Sequence, residues 1–360
     1  MLEVPTANNG WNLDVVSILA VLGEHNIQLN SHLMCVSRLC FLPRLLPAPQ
    51  GLLAGRPRVL PIQDEVQVVG IYTGLEQPHL HYFANLLHGD GTQIPVFAVR
   101  ELRITFASDE PYTVRPRRFS PINLITIANS IISSSLLVWA TVIRDYIALA
   151  GILIMSFTTP ILCAGLKWIP ASIPRRRTRG IPAPANDVIF KSTTGTLTIV
   201  RCDTDVARML YFTPTKPKYM MNWHSGRGIS GFVGGLTLMT AIVLFGNASW
   251  TMQLALVVTY SALNALYWIA TVLPQEWAWD FNFVVEELYQ SRHGSFLQTV
   301  WVALWKTRET SWVEKMGSAF QTTVWERWLK LAVEHFDEPV DLWDPLHAYS
   351  EVLESTAVNP

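Results

Sequence analysis

The longest hydrophobic stretch of the chain covers residues 228–275, where 48 consecutive residues include no Asp, Glu, Lys, Arg or His. A membrane-spanning helix needs roughly 20 apolar residues, so this stretch is long enough for two. The polar residues 246–249 divide it near the middle. The pattern therefore predicts a membrane hairpin with helices at 229–245 and 252–273.

A second hydrophobic pattern of the same kind occupies residues 119–166. An uncharged run ends at Ile143, the charged pair Arg144-Asp145 interrupts it, and a second apolar run covers 146–166. Pro160 lies inside that second run and predicts a kink, which membrane helices tolerate. Together the two patterns predict four transmembrane helices arranged as two hairpins, and thus an α-helical membrane protein.

Short alternating patterns between the apolar runs predict a small mixed α/β region. Residues 66–72 and 96–106 read as strands within a β-rich segment at 62–118, and 188–191 with 196–201 read as a β-hairpin around Gly195. Asp203 or Thr204 is a candidate N-cap for a short helix over 206–212. We expect this ββα module, within the loop 167–227, at the membrane surface.

The segments before the β-rich region are less regular. Residues 1–42 contain a short apolar run at 15–22, too short to span a bilayer. It predicts an interfacial or buried helix, and a truncated fifth membrane helix remains the alternative. Prolines and glycines at 43–61 disrupt helix and strand alike, which predicts a linker.

The tail at 276–360 contains eight of the 14 tryptophans, and several recur at helical spacing, as Trp301 with Trp305 and Trp325 with Trp328 do. This spacing predicts an amphipathic, Trp-rich helical tail. Trp277 and Trp279, just after the last apolar run, fit the aromatic belt at the level of the lipid headgroups.

Charge adds an orientation to this picture. Only 15% of the residues are charged, against about 25% in typical soluble domains. The loop 167–227 has eleven Lys and Arg against three Asp, whereas the tail has fourteen acidic and six basic residues. Basic loops stay on the cytosolic side, so both termini are predicted to be cytosolic. The opposite charges suggest that tail and loop form one domain, although anionic lipid headgroups could attract the loop instead.

Metal and cofactor chemistry find little support in the sequence. The four cysteines are scattered, and His79, His81 and His88 have no carboxylate or cysteine at ligand spacing. No phosphate-binding loop, nucleophile elbow or zinc-protease motif is present. We therefore expect no cofactor, no metal and no nucleic-acid partner.

Candidate functional residues are few, because the four apolar runs carry no ionisable group. Glu276 and Asp280, beside the tryptophans after the last run, are weak candidates for acid–base catalysis. Gly231 and Gly235 form a GxxxG pair that predicts close helix packing, within the bundle or between two copies. Asn247 begins an Asn-Ala-Ser sequon at a hairpin tip and is a candidate for glycosylation.

One block of sequence carries a family resemblance. Residues 244–253 (LFGNASWTMQ), continuing through Asn264, 266–268 (LYW) and 273–277 (LPQEW), together with 203–208 (DTDVAR), resemble multi-pass membrane proteins of filamentous fungi. The resemblance covers about residues 120–290 and implies an integral membrane protein, without an activity, cofactor or catalytic residue. The proline-rich segment departs from the family pattern.

Two function classes remain open. The uncharged runs favour an interaction, scaffolding or accessory protein in the lipid bilayer, with protein partners or self-association. The alternative is a membrane-bound enzyme or accessory factor of a fungal secondary-metabolite pathway, acting on a lipid-like substrate at the cytosolic interface near Glu276 and Asp280. Whether the protein is an enzyme stays open at this point.

Overall fold

Four long apolar helices are the main feature of the computed structural model of this chain. The structure describes residues 23–53, 63–89, 95–108, 110, 113–171, 184–192, 194–213, 217–221, 223–317 and 322–358. The apolar run at 15–22 lies outside these residues. In chain order, the described α-helices are α1 (Glu24–Val36), α2 (Tyr82–His88), α3 (Pro121–Val142), α4 (Tyr146–Leu166), α5 (Thr204–Ala207), α6 (Trp223–Gly246), α7 (Trp250–Val272), α8 (Phe296–Thr307), α9 (Ser311–Lys315), α10 (Thr323–Glu334) and α11 (Pro345–Val358).

The strands fall in three separate parts of the chain. They are β1 (Gln63–Gly70), β2 (Glu76–Leu80), β3 (Ala98–Phe106), β4 (Val114–Pro116), β5 (Trp168–Pro170), β6 (Val188–Lys191), β7 (Leu197–Arg201), β8 (Pro217–Tyr219), β9 (Trp279–Phe281) and β10 (Phe283–Arg292). The chain divides into two units. The helical unit comprises Met1–Arg58, Val114–Ala171 and Pro217–Asp280, and the mixed unit comprises Val59–Thr113, Ser172–Lys216 and Phe281–Pro360.

In the helical unit, α3, α4, α6 and α7 are long and apolar enough to cross a membrane. This confirms the four apolar helices that the hydrophobic pattern predicts. Helices α4 and α6 pack closely at two glycines, because a side chain of the partner helix occupies the space beside each. A Cβ at Gly151 would lie 2.9 Å from Cδ1 of Phe245, and one at Gly234 would lie 2.8 Å from Cγ of Leu162.

Asp145 joins the tips of the two helical hairpins. Its Oδ1 accepts a hydrogen bond from the backbone N–H of Ala148 at 2.9 Å, which caps α4, and its Oδ2 accepts one from Ser249 N–H at 2.8 Å. Partial burial acts to raise the pKa of this carboxyl, but the hydrogen bonds outweigh burial and the pKa is lowered. Asp145, one of the two charged residues that separate the first two apolar runs, thus also links the two hairpins by hydrogen bonds.

The mixed unit is built on one six-stranded sheet with the order β10-β3-β7-β6-β1-β2, in which only the β3–β7 pair is parallel among the described strands. The predicted ββα module is present as β6, β7 and α5. Gly195 has the expected positive φ of 76°, and Asp203 caps α5 by accepting the Val206 N–H at 2.8 Å.

The tail differs from the helical prediction at its start. Phe283–Arg292 is a strand that pairs antiparallel with β3, and helices α8 to α11 follow it. Residues with helical tryptophan spacing do form helices, but the segment before them extends a sheet whose other strands come from far away in sequence. The segments expected as a separate β-rich piece, loop module and tail therefore contribute to one unit.

The core of the mixed unit lies between the sheet and the tail helices. Val69, Ile189 and Ile199 occupy one row across three neighbouring strands, and they pack with Trp301, Trp312, Trp328 and other apolar residues of α8 to α11. The tail thus packs on the loop module, as the opposite charges suggested. However, the contact is made by apolar side chains, whose burial stabilises by roughly 25 cal/mol per Å².

Candidate functional site

A short extended segment, Leu42 to Leu46, lies between α3 and α4 inside the helical unit. We call it the inserted segment. All but its first residue fall within residues 43–61, where the prolines predicted a linker, yet Arg44, Leu45 and Leu46 are all 0% exposed. It lies opposite the middle of α4, since Arg44 N–H donates 3.2 Å to the carbonyl of Ser156, the eleventh of 21 residues in that helix.

An extended backbone inside an apolar bundle must find hydrogen-bond partners, because unpaired peptide groups are costly there. Side chains of α3 and α4 supply them. Leu45 N–H donates to Ser133 Oγ at 2.9 Å, Ser130 Oγ donates to Pro43 O at 3.0 Å, and Thr159 Oγ1 donates to Arg44 O at 2.9 Å. Asn129 Nδ2 donates to Leu45 O.

Pro160 explains why the carbonyl of Ser156 is available. Proline has no N–H, so the carbonyl four residues earlier in a helix loses its usual donor. In α4 that carbonyl belongs to Ser156, and it accepts the Arg44 N–H instead. The proline that the sequence predicted as a kink therefore provides a docking point for the inserted segment.

We predict that Ser133→Ala lowers the free energy of unfolding by about 1 kcal/mol, because the buried Leu45 N–H loses its acceptor. Ser134→Ala is the matched control, since Ser134 is exposed and its hydroxyl donates to Ser130 O of its own helix. Thermal unfolding of the detergent-purified chain measures both. Equal effects of the two substitutions would show that the Ser133 contact contributes nothing.

Arg44 is the most unusual side chain of the inserted segment. Its Nη1 donates to the carbonyls of Leu42 at 3.0 Å, Leu39 at 3.3 Å and Cys40 at 3.5 Å. Its Nε and Nη2 are buried and make no hydrogen bond of good geometry. Nη1 is therefore held by backbone carbonyls, and the other polar neighbours of the guanidinium are the side chains of Tyr267 and Cys163.

The side chains beside Arg44 come from three helices. Tyr267 of α7, Cys163 of α4 and Cys35 of α1 interact electrostatically with the guanidinium, and the two thiols are hydrogen-bonded to each other. The hydroxyl of Tyr267 is buried, and its polar neighbour is the guanidinium of Arg44. The site thus combines a cation, a phenol and thiols in a closed setting.

A second buried cation lies nearby in the fold. Lys167, directly after α4, is 7% exposed and donates to Val36 O at 2.9 Å and Ser37 O at 2.6 Å, the carbonyls at the end of α1. Within the described residues, no carboxylate forms an ion pair with Arg44 or Lys167. Two positive charges therefore share this part of the helical unit without an acidic side chain to balance them.

Sequence reasoning missed Arg44 because it considered ionisable groups only within the four long apolar runs. The signal was available: Arg44 is the one charged residue between Leu39 and Leu53. An arginine alone in an apolar stretch is costly to bury and points to a function. The prolines around it led instead to the prediction of a linker.

The acidic candidates lie elsewhere in the chain. Asp280 is paired with Arg115, with Oδ2 2.8 Å from Nε, and Glu276 lies on the short 3₁₀ helix Gln275–Ala278. Both carboxylates are partly exposed. Trp279 is 0% exposed against Trp168, whereas Trp277 is 49% exposed, so only Trp277 presents a surface.

Gly231 and Gly235, the glycines of the GxxxG pair, face open space rather than a neighbouring helix. A Cβ at Gly235 would meet nothing within 4 Å, and one at Gly231 would approach only Cδ2 of Leu53, at 3.9 Å. The close approach of two helices occurs at Gly234.

Asn247 is exposed at the tip between α6 and α7, where its Nδ2 donates to Val243 O at 2.8 Å. Glycosylation there stays a prediction.

Of the histidines at 79, 81 and 88, two have strongly lowered pKa values. His88 Nε2 is 2.6 Å from Tyr211 Oη, and burial, with a smaller effect of Arg100, lowers the pKa of His88 to about 3. Burial lowers the pKa of His81 to about 4, with His79 adding to the effect. Among the described residues, no group of three His, Cys, Asp or Glu could hold a metal ion.

The comparisons with known proteins add no relative: no protein-family model, no curated protein and no solved structure matches this chain. The resemblance to fungal membrane proteins therefore rests on the quoted residues alone, and functional reasoning has to proceed from the geometry.

Proposed function

We propose that this protein is a multi-pass integral membrane protein. The observation that carries the proposal is the outward-facing apolar surface of the four long helices. Of their apolar windows, only 28%, 50%, 22% and 28% of the residues are buried inside the protein. Such a surface is unfavourable in water and matches the hydrocarbon of a bilayer.

The charge pattern supports an orientation. The basic residues of 167–227 favour a cytosolic position for that loop and, with it, for both termini. The hairpin tips at Arg144 and Asn247 then face the opposite side. Anionic headgroups are the expected lipid partners of the loop.

Within the membrane, we propose an interaction, scaffolding or accessory role. The mixed unit has its own sheet and apolar core, so it is a folded module that a membrane anchor would hold at the bilayer surface for protein partners. A role beside secondary-metabolite enzymes follows from the sequence resemblance alone.

The second candidate is a membrane-bound enzyme or accessory factor for a lipid-like molecule. One observation favours it: a bundle that serves only as an anchor has no need of a fully buried arginine that forms no ion pair with a carboxylate among the described residues. This candidate would move the site from Glu276 and Asp280 to the surroundings of Arg44.

Alkaline carbonate extraction of membranes tests the proposal directly. The protein should remain in the pellet, whereas a peripheral protein would be released.

Orientation is tested with introduced cysteines, because the four native cysteines are all buried. Arg144→Cys and Lys218→Cys, both at exposed positions, should react with an impermeant maleimide from opposite sides. Labelling from the same side would overturn the topology, and metabolite profiling of a deletion strain separates the two candidate roles.

A further inference from the structure

We propose that one end of the helical unit binds the headgroups of anionic phospholipids. The surface consists of the strands β4, β5, β8 and β9 and the turns beside them, and we call it the collar. This inference rests on the proposed membrane function and deepens it, because it names a lipid class and the residues that recognise it. Two of its three unpaired basic residues precede α3 and thus lie outside the basic loop 167–227.

The collar lies at the ends of all four long helices. Strand β4 precedes α3, β5 follows α4, β8 precedes α6 and β9 follows α7. β4 pairs with β9 and β5 with β8, and the rings of Trp168 and Trp279, one from each pair, have centroids 5.9 Å apart. Asp145 links the hairpin tips at the opposite ends of the helices. In a bilayer, the collar would therefore lie at the level of the headgroups.

The collar exposes large apolar side chains. Phe119, directly before the N-cap of α3, is 77% exposed, and Met220, directly after β8, is 65% exposed. Three others are also exposed: Ile169, Met221 and Trp277. Such a border is unfavourable in water, whereas tryptophan and other partly apolar side chains at helix ends are typical of the membrane interface.

The collar also has surplus positive charge. Three exposed basic side chains form no ion pair with a carboxylate among the described residues: Arg117, Arg118 and Lys218. Of the acidic collar residues, Asp280 is paired with Arg115 at 2.8 Å, which leaves Glu276 as the remaining carboxylate. Basic residues beside a bilayer attract anionic lipids.

The two neighbouring arginines are presented by a fixed turn. The backbone N–H of Arg117 donates to Ala278 O at 2.8 Å. The carbonyls of Arg117 and Arg118 accept hydrogen bonds from Nδ2 of the buried Asn123, at 3.1 and 2.9 Å. These contacts use the backbone alone, so both guanidinium groups remain exposed, and guanidinium groups match phosphate oxygens in bidentate pairs.

An anionic phospholipid matches both features of the collar. Its phosphate accepts hydrogen bonds from guanidinium and ammonium groups, and its acyl chains contact the apolar side chains beside them. A soluble anion would use only the basic residues and leave Phe119 and Met220 in water. The charge and the apolar surface together therefore favour a lipid over a free anion.

The test uses the full-length chain in mixed micelles of a neutral detergent. Thermal unfolding is recorded with dioleoylphosphatidylserine, with dioleoylphosphatidylcholine as the zwitterionic lipid of equal chains, and with glycerophosphoserine as the headgroup without chains. We expect phosphatidylserine to raise the Tm of the wild type by several degrees more than phosphatidylcholine, and glycerophosphoserine to have no such effect. Salt at about 1 M, where the Debye length is about 3 Å, should reduce the difference.

Two double variants make the test specific. Arg117→Gln/Arg118→Gln should lower the preference for phosphatidylserine severalfold, because two basic contacts to the headgroup are lost. Arg327→Gln/Lys330→Gln is the matched control, since it also removes two exposed positive charges, from α10 of the mixed unit. The control should keep the preference of the wild type. Should the collar variant fail to fold, Lys218→Gln should lower the preference by a smaller factor.

Equal Tm values of the wild type in the two lipids would overturn the inference. So would stabilisation by glycerophosphoserine as large as that by phosphatidylserine, which would indicate a small-anion site. A preference that persists in folded Arg117→Gln/Arg118→Gln, or that falls equally in the control, would assign it to other basic residues or to net charge and likewise overturn the collar.

The outcome is separate from that of the membrane proposal. Carbonate extraction reports integration into the bilayer whatever the headgroup. A chain that stays in the pellet but shows no preference for phosphatidylserine would refute the collar and leave the membrane assignment intact. A chain released by carbonate would refute the membrane assignment itself.

Discussion

Glu101→Leu should lower the free energy of unfolding by about 3 kcal/mol, because it leaves two cations without their shared partner. Glu101 Oε1 accepts from Arg201 Nε at 2.8 Å and Oε2 from Lys306 Nζ at 2.7 Å. The three side chains are 11%, 25% and 15% exposed. Arg201 keeps Asp187 at 2.6 Å, whereas Lys306 loses its recorded ion pair. Thermal and urea unfolding of the purified chain measure the loss.

Glu287→Leu is the matched control on the neighbouring strand. Glu287 pairs with Arg100 at 3.1 Å, but its side chain is 43% exposed, and exposed ion pairs contribute about 0 to 1 kcal/mol. The two leucine variants should therefore differ by roughly 2 kcal/mol. Comparable losses in both would show that the Glu101 network is no stronger than a surface pair.

The same network predicts a pH dependence. Burial acts to raise the pKa of Glu101, but hydrogen bonds and charges from Lys306 and Arg201 outweigh it and lower the pKa below 4.5. A lowered carboxyl pKa contributes stability that is present above the unfolded-state value and is lost as the pH falls through the folded-state value. The wild type should lose stability below about pH 4.5, and Glu101→Leu should lose less over the same interval.

Gly234→Ile should destabilise the helical unit by about 3 kcal/mol, since a Cβ at that position would lie 2.8 Å from Cγ of Leu162 on α4. The added side chain forces α4 and α6 apart or moves Leu162 off its rotamer. Gly235→Ile, one residue later in the same helix, meets nothing within 4 Å. Its effect on unfolding should be within about 0.5 kcal/mol.

Substitution of the two glycines of the GxxxG pair tests whether they contact a second copy of the chain. Size-exclusion chromatography of Gly231→Ile and Gly235→Ile in detergent should show an unchanged complex if these open glycines face lipid. A shift to a smaller species would show that they contact a second copy of the chain. Loss of stability in Gly235→Ile as large as in Gly234→Ile would contradict the packing described here.

The sequence by itself determined the parts of the structure that depend on local pattern. Charge-free runs of about 20 residues allow only a helix in an apolar medium, and those runs became α3, α4, α6 and α7. The hairpin around Gly195 and the cap at Asp203 were equally local, because positive φ and N-capping depend on one or two residues. The helical spacing of Trp301 and Trp305 also held, as both lie in α8.

Only the tertiary structure decided which distant segments meet. The mixed sheet joins strands from three regions of the chain. One of them, β10, lies in the tail, where the spacing of the later tryptophans predicted helices throughout. Likewise, Gly234 rather than Gly235 meets α4, since the rotation of a helix against its neighbour depends on the packing of both. Arg44 shows the same limit most clearly. The prolines around it were compatible with an exposed linker. Its backbone enters the bundle because α3 and α4 supply hydrogen-bond donors and acceptors, at Asn129, Ser133, Ser156 and Thr159.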